Sequence, residues 1–167
     1  AEDGTPYGSM SGHVYTLVPF ILKDMHCLPY SVFEISDYES RYYAILRVAL
    51  IKNISLFITG NPTTLLQIHK VIRQNINALI KDIEKGTLNQ DLKIEPEIRK
   101  ELESQFQPFP ERAEHLSRLF KEKETVQFAD IWPDFQVVCV WANANSRMFF
   151  NKARPLLGDQ VKFREFG

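Results

Sequence analysis

Length, composition and charge narrow the class of protein. The 167 residues suit one domain or part of one, and 44% hydrophobic with 25% charged residues is typical of a globular chain. The net charge of −1 argues against a dedicated nucleic-acid-binding protein, which usually carries a basic excess. No apolar run approaches the ~18 residues that span a membrane, so we expect no membrane partner. Without a signal peptide or a metal-binding cysteine pair, we expect a cytoplasmic protein whose Cys27 and Cys139 are free thiols.

The first part of the chain predicts a lead-in followed by a strand–helix unit over residues 14–86. Residues 1–13 are rich in Gly, Ser and Pro and predict a flexible or extended segment. Residues 14–22 are apolar, and residues 28–35 predict an extended segment. Ser36 as N-cap with Glu39 three residues later predicts a capping box that opens the first helix.

A short apolar run at residues 54–58 predicts a strand that is covered on both faces, as in parallel sheets. A helix from 62 to about 85 should follow, with Asn61 as N-cap, Pro62 at its first position and Gly86 as its stop. The apolar stripe of this helix consists of Leu65, Ile68, Ile72, Ile76, Leu79 and Ile83.

The second half of the chain predicts a helical insertion at 87–130 and a second strand–helix unit at 131–167. Residues 135–141 form its strongest strand, a helix follows at 145–154, and a last strand spans 161–166. The predicted fold class is therefore α/β, with a largely parallel sheet flanked by helices and interrupted by an all-helical insertion.

Single residues offer little evidence of chemistry. The sequence contains no GxGxxG, Walker, GxSxG or HExxH motif, and its four histidines show no metal-binding spacing. His69 is interpreted as a half-buried or surface histidine. The carboxylate pairs Asp82/Glu84 and Glu101/Glu103 are predicted to lie on solvated helix faces, and the pairs Tyr42/Tyr43 and Phe149/Phe150 are predicted to pack in the core.

Two turns between a strand and a helix are candidate sites: residues 59–62 and residues 142–146. In open α/β sheets, ligands bind beyond the carboxyl ends of the strands and near helix N-termini, so both turns are predicted to face one crevice. The positive end of the helix after Asn61 favours a carboxylate. The alternative is that both turns are connectors, which is the commoner role of such turns.

Five segments, taken in chain order, resemble a known family: Pro6 to Gly12, Asp37 to Glu39, Thr59 to Leu66, Ile80 to Leu88, and Ile131 to Pro133. Together they resemble the auxin-responsive Gretchen-Hagen family, which comprises plant acyl acid–amido synthetases and bacterial relatives. The stretch DIEKGTL and the later Trp-Pro pair are the most specific part of the resemblance.

The resemblance implies an adenylate-forming enzyme that uses ATP and Mg²⁺ to activate a small carboxylic acid and then transfers the acyl group to an amino acid. It implies that Phe57, Thr59, Gly60 and Asn61 line the acyl-acid pocket. It also implies that Ala142, Asn143, Ala144 and Asn145 border adenine, although relatives usually have a glycine in that turn.

The three nucleotide motifs of the resembled family are absent from this sequence. We therefore expect an internal fragment of a larger N-terminal domain, with no catalytic or metal-binding residue and no bound cofactor of its own. The alternatives are a non-catalytic interaction module and a fragment of an acyl-CoA ligase of the same superfamily. An incomplete sheet would leave edges that invite self-association.

Overall fold

The computed structural model describes residues 26–140 and 147–165. The predictions for residues 1–13, for residues 14–22 and for the turn at 142–145 lie outside the described residues. Within the described ranges, no helix combines the length and the apolar character needed to cross a membrane.

Helices and three short strands alternate along the chain. In order they are a 3₁₀ helix Tyr30–Glu34, α1 Tyr38–Ala49, β1 Leu56–Thr59, α2 Thr63–Lys85, α3 Pro96–Ser104, α4 Pro110–Glu122, α5 Phe128–Ile131, β2 Val137–Val140, α6 Arg147–Ala153, a 3₁₀ helix Arg154–Leu156 and β3 Lys162–Glu165. Residues 87–130 contain helices and no strand, which confirms the predicted helical insertion.

The three strands form one parallel sheet in the order β1-β2-β3. The α/β fold and the predicted sharing of one sheet by the two main strands are therefore confirmed. Within the described residues β1 and β3 are the edges of this sheet. Self-association through those edges stays a prediction.

The prediction that β1 is covered on both faces is wrong for the described residues. Leu56 and Ile58 are 47% and 61% exposed, whereas Val138 and Val140 of the neighbouring strand are completely buried. Because side chains alternate between the faces of a strand, one face of the sheet joins the core and the other is open.

The first helix begins one residue later than predicted. Asp37, not Ser36, is the N-cap, and its carboxylate accepts a hydrogen bond from the backbone N–H of Ser40 at 2.9 Å. The N–H of Ser36 instead donates to the Glu95 carboxylate at 3.2 Å. An ionised carboxylate is a stronger acceptor than a hydroxyl, which explains why Asp37 takes the capping position.

The segment before that helix is also different from the prediction. Residues 30–34 form a 3₁₀ helix instead of an extended segment. Pro29 precedes it in an extended conformation, and its carbonyl accepts a hydrogen bond from the N–H of Val32 at 3.3 Å. Proline suits the start of a tight turn because its φ angle is already fixed.

The long helix α2 packs against α1, α4 and α6 and is the central support of the fold. Five of the six residues of its predicted stripe are buried, and Ile76 is half-buried. The helix begins at Thr63, one residue after the prediction, so Pro62 and not Asn61 occupies the N-cap position. It ends at Lys85, and the following Gly86 has a left-handed φ of 71°, as a helix stop requires.

Candidate functional site

The turn after β1 holds the predicted acyl-pocket residues. Phe57 and Thr59 are half-buried and point to the helix-covered face of the sheet, whereas Gly60 and Asn61 are exposed at the tip. The Thr59 hydroxyl bonds the Thr64 hydroxyl at 3.2 Å, and it accepts from the N–H of Asn61 at 3.3 Å. The structure thus brings Thr59, Asn61 and Thr64 together.

The start of α2 already uses its own backbone donors. The N–H of Thr63 donates to the Asn61 side-chain oxygen at 3.0 Å, and the N–H of Thr64 donates to the Asn61 carbonyl at 3.1 Å. Pro62 has no N–H to offer. A carboxylate that binds here would therefore have to displace the Asn61 side chain or bind through hydroxyl groups.

Tyr42 of α1 lies next to Thr64 at this turn. The sequence analysis had assigned Tyr42 to core packing. Burial, followed by the neighbouring hydroxyl of Tyr38, raises the pKa of Tyr42 to about 12, while a hydrogen bond with Thr64 acts in the opposite direction. The rings of Tyr38 and Tyr42 lie 4.8 Å apart between centroids. Their spacing of four residues, which places both on one helix face, was the available signal.

Among these hydroxyl groups, those of Thr59 and Thr64 are hydrogen-bonded to each other at 3.2 Å. The hydroxyls of Tyr38 and Thr64 both affect the pKa of Tyr42, so we refer to the four groups together as a row. Because the Tyr42 pKa is about 12, this phenol stays protonated at neutral pH and is both a donor and an acceptor. Such a row can orient a polar ligand but supplies no strong base.

The predicted adenine-bordering residues, Ala142, Asn143, Ala144 and Asn145, lie outside the described residues. The strand that leads to them is described, and Val140 at its end is the register partner of Thr59. The strands that precede the two candidate turns, β1 and β2, therefore end side by side at the same end of the sheet.

The stretch DIEKGTL lies elsewhere, at the end of α2. The prediction that Asp82 is solvated is wrong, because its side chain is only 7% exposed. Its carboxylate accepts from the Tyr43 hydroxyl at 2.8 Å, the Thr87 hydroxyl at 2.9 Å and the N–H of Asn89 at 2.8 Å. Glu84 is exposed, as predicted.

Arg47 completes this junction and is fully buried. It donates from Nε to the Thr87 carbonyl at 2.9 Å and from Nη2 to the Asp82 carbonyl at 3.2 Å. Its guanidinium carbon lies 4.0 Å from the ring centroid of Phe106. Burial lowers the pKa of Arg47, and the charge of Asp82 opposes that effect.

Gly86 of the DIEKGTL stretch and Trp132 of the Trp-Pro pair also serve packing and hydrogen bonding within the fold. A Cβ on Gly86 would lie 2.5 Å from the backbone nitrogen of Pro108, so the chain passes too closely for a side chain. The buried indole of Trp132 donates to the Ala49 carbonyl at 3.0 Å. These motifs fix the contact between α1, α2 and the helical insertion.

A comparison with models of protein families shows which family has these motifs. The model of the GH3 family N-terminal domain matches residues 1–162. The chain belongs to the GH3 family. This confirms the resemblance to the Gretchen-Hagen proteins that the motifs indicated.

Solved structures support the same fold. A GH3.15 acyl acid amido synthetase matches with a TM-score of 0.72 at 15% identity, over 83% of this chain and 26% of its own. AtGH3.15 acyl acid amido synthetase in complex with 2,4-DB matches with a TM-score of 0.66 at 13% identity, over 78% of this chain and 23% of its own. This GH3 chain thus spans about a quarter of the structures it matches. A sequence comparison with curated proteins finds no match.

Other polar groups of this GH3 chain have structural explanations. His69 is half-buried, its Nε2 lies 3.2 Å from the Val126 carbonyl, and burial lowers its pKa, which agrees with the interpretation made from the sequence. Glu101 accepts from the Ser31 hydroxyl at 2.9 Å, and Glu103 pairs with Arg99 at 3.2 Å. Across residues 26–140 and 147–165, no three His, Cys, Asp or Glu side chains are placed to hold a metal ion.

A surface groove of about 360 Å³ lies between α1, α2 and the segment before α3. Carboxylates and two lysines, Lys70 and Lys93, line it together. None of the predicted pocket residues borders this groove. It is therefore separate from the turn after β1.

Proposed function

We propose that this chain is part of an acyl acid–amido synthetase. In this reaction a carboxylate attacks the α-phosphorus of ATP and pyrophosphate leaves, giving an acyl-adenylate. An amino acid amine then attacks the acyl carbon, AMP leaves, and an amide forms. The match of the GH3 N-terminal domain to residues 1–162 carries this proposal.

The chain would contribute walls to the substrate site. Phe57, Thr59, Gly60 and Asn61 would border the acid, with the row of hydroxyl groups holding its polar end. The residues after Val140 would border adenine, and the register between Thr59 and Val140 supports two adjoining binding regions. ATP supplies the activating nucleotide.

Mg²⁺ and the phosphates would be held by parts of the protein other than the described residues. Phosphoryl chemistry requires positioned cationic or backbone donors and carboxylates that bind the metal. The sequence has no phosphate-binding loop, and the part of the chain that the structure covers has no metal-binding cluster. We accordingly propose that the 167-residue chain alone does not form an acyl-adenylate.

The test is acid-dependent exchange between ATP and pyrophosphate, measured on the longer protein that contains this chain. Thr59→Trp should raise the KM for the acid at least about tenfold and change the KM for ATP far less, because the bulky ring would fill the acid's place and leave the nucleotide contacts intact. Thr125→Trp is the matched control, since Thr125 is exposed and lies between α4 and α5, away from the sheet.

Four results would contradict the proposal or part of it. Exchange by the 167-residue chain alone would refute its dependence on outside residues. An equal rise of both KM values with Thr59→Trp would remove the turn from the acid pocket. Absence of exchange with a broad panel of aryl and alkyl acids would favour the non-catalytic interaction module, which the exposed Leu56 and Ile58 make a specific alternative. Transfer to coenzyme A instead of an amino acid would identify the acyl-CoA ligase.

A further inference from the structure

A second surface groove, of about 200 Å³, lies between α2 and α4. Arg73, Ile76, Asn77 and Ile80 of α2 form one wall, and the last turn of α4 with the residues after it forms the other. We call this the α2–α4 groove. None of the residues proposed to border the acid lines it, so it is separate from the turn after β1.

The two helices run in opposite directions along the groove. The N–H of Phe109, just before α4, donates to the carbonyl of Ile83 near the end of α2 at 2.9 Å. Arg73, earlier on α2, donates from Nη1 to the carbonyl of Glu124, just after α4, at 2.9 Å. Lys121 is in the last turn of α4, so Arg73 and Lys121 lie at the same end of the groove.

The middle of the groove is apolar. Ile76 and Ile80 lie one turn apart on α2, with about 5–6 Å between their Cβ atoms, and Phe120 lines the opposite wall. All three side chains are half-buried and pack against the core. One aromatic ring can lie along the two isoleucines and contact the ring of Phe120.

The end of the groove at Arg73 is cationic. Arg73, Lys121 and Lys123 line it together with the carboxylate of Glu124. Lys123 is paired with Asp130 at 2.6 Å, whereas Arg73 and Lys121 form no ion pair among residues 26–140 and 147–165. Even with Asp130 included, cations outnumber carboxylates here by three to two. The bond from Arg73 to Glu124 uses one nitrogen and leaves the other guanidinium donors for a ligand.

We propose that the α2–α4 groove binds a small aromatic anion, with its ring on Ile76, Ile80 and Phe120 and its anionic head between Arg73 and Lys121. An apolar surface with a few convergent polar groups is the usual form of a small-molecule site. A neutral ring would leave the two cations without a partner, and a small inorganic anion would leave the apolar residues in water. Because the groove is separate from the turn after β1, this inference does not rest on the proposed function.

The methyl groups of Ile76 and Ile80 report directly on the groove. The longer protein that contains this chain is labelled at its isoleucine δ1 methyl groups for NMR, and the two signals are assigned with Ile76→Val and Ile80→Val. The probe is benzenesulfonate, which is an aromatic anion at neutral pH but not a carboxylic acid. We expect both signals to shift saturably with a Kd of roughly 1 mM, which is ordinary for a ligand of about ten non-hydrogen atoms.

Two control ligands separate the contributions of the ring and the charge. Benzenesulfonamide has the same ring and an uncharged head at neutral pH, and methanesulfonate has the anionic head without the ring. Each should bind at least about tenfold more weakly than benzenesulfonate, because each uses only one half of the groove. Affinity for either control equal to that for benzenesulfonate would overturn the proposal.

Variants at the cationic end test the residues. Arg73→Gln and Lys121→Gln should each weaken binding of benzenesulfonate about three- to tenfold, since each removes one cation and leaves the apolar residues in place. Lys121 makes no hydrogen bond within the described residues, so its variant tests the charge even if Arg73→Gln loosens the segment after α4.

Lys81→Gln is the matched control. Lys81 is an exposed lysine of α2 that follows Ile80 directly and does not line the groove, so its replacement should change the Kd by less than about twofold. A loss with Lys81→Gln as large as that with Lys121→Gln would indicate only general attraction to a basic helix and would overturn the proposal. Absence of a saturable shift at Ile76 and Ile80 would overturn it as well.

Discussion

The junction around Asp82 and the turn after β1 both occur at an end of α2, yet they are built differently. At the junction, a buried carboxylate receives three hydrogen bonds of 2.8 to 2.9 Å: one from Tyr43 of α1, 39 residues earlier, and two from residues five and seven positions later. At the turn, exposed and half-buried residues form bonds of 3.0 to 3.3 Å that stay within six residues of sequence. One end of the helix is tied to a neighbouring helix through a buried carboxylate, and the other end is bonded only locally.

This difference shows what the family motifs encode. The DIEKGTL stretch is the most specific part of the resemblance, and its Asp82, Gly86 and Thr87 hold the helical insertion against α1 and α2. The turn that we propose to contact substrate has a far less distinctive sequence. Motifs that identify this family therefore report on its architecture. If the proposed function is right, specificity for the acid is set at the other end of α2.

Removal of the Asp82 carboxylate is the strongest test of the locked junction. Asp82→Ala should lower the free energy of unfolding by about 3–5 kcal/mol, because it leaves the Tyr43 hydroxyl, the Thr87 hydroxyl and the N–H of Asn89 without their acceptor. It also removes the negative charge that offsets the burial of Arg47. Urea denaturation measures the loss. Glu84→Ala, two residues away and exposed, is the control and should change stability by less than about 0.5 kcal/mol. A similar effect of both variants would show that the junction is not locked.

The glycines at the two ends of α2 provide a matched comparison. Gly86→Ala should cost about 2–4 kcal/mol, since it combines a φ of 71° with a Cβ 2.5 Å from the backbone of Pro108. Gly60 is not among the described glycines with positive φ, so Gly60→Ala should be neutral or slightly stabilising. Thermal unfolding of both variants checks the pair. A large loss with Gly60→Ala would show that the turn is as tightly built as the junction.

Adjacent tyrosines of α1 reach the two regions separately. Tyr43 is 2% exposed and donates a hydrogen bond to the Asp82 carboxylate. Its burial is the main cause that raises its pKa, and the hydrogen bond to Asp82 and the charge of Asp82 add to that effect. Tyr43→Phe should therefore cost about 1.5–3 kcal/mol, the range for a hydrogen bond to a charged group. Tyr42→Phe removes a hydroxyl of the open cluster and should cost less than about 1 kcal/mol, because water replaces part of its bonding. Urea denaturation measures the free energy of unfolding of both variants. If Tyr42→Phe lost as much stability as Tyr43→Phe, the two ends of α2 would not differ in the way described.

Local patterns predicted much of this fold. The stripe of α2 and its stop at Gly86 depend on neighbouring residues, and both are confirmed. The parallel sheet followed from the alternation of strands and helices. What sequence missed depends on distant contacts: the partner of Asp82 on α1 lies 39 residues earlier, so a position that seemed solvated is buried.

The candidate site could be predicted from the sequence only where it depends on neighbouring residues. Thr59 and Asn61 were predicted because a strand, a turn and a helix start follow one another directly, and their role at a binding site stays a prediction. Tyr42 was assigned to packing, since only the tertiary fold brings it to Thr64. The exposed face of β1 was also missed, because a short apolar run does not show whether one face or both faces of its strand are covered.

The smallest expected effect concerns the side chain that closes the turn. Asn61 accepts the N–H of Thr63 at 3.0 Å, so Asn61→Ala should cost about 1 kcal/mol, near the centre of the range for helix-capping residues. Asn61→Asp keeps an oxygen acceptor and should retain most of that stability. Urea denaturation compares the two variants with the unchanged protein. No loss in Asn61→Ala would show that water already competes for the Thr63 N–H, and the turn would be more open than proposed. A loss as large as that of Asp82→Ala would make the turn a second locked junction and remove the contrast between the two ends of α2.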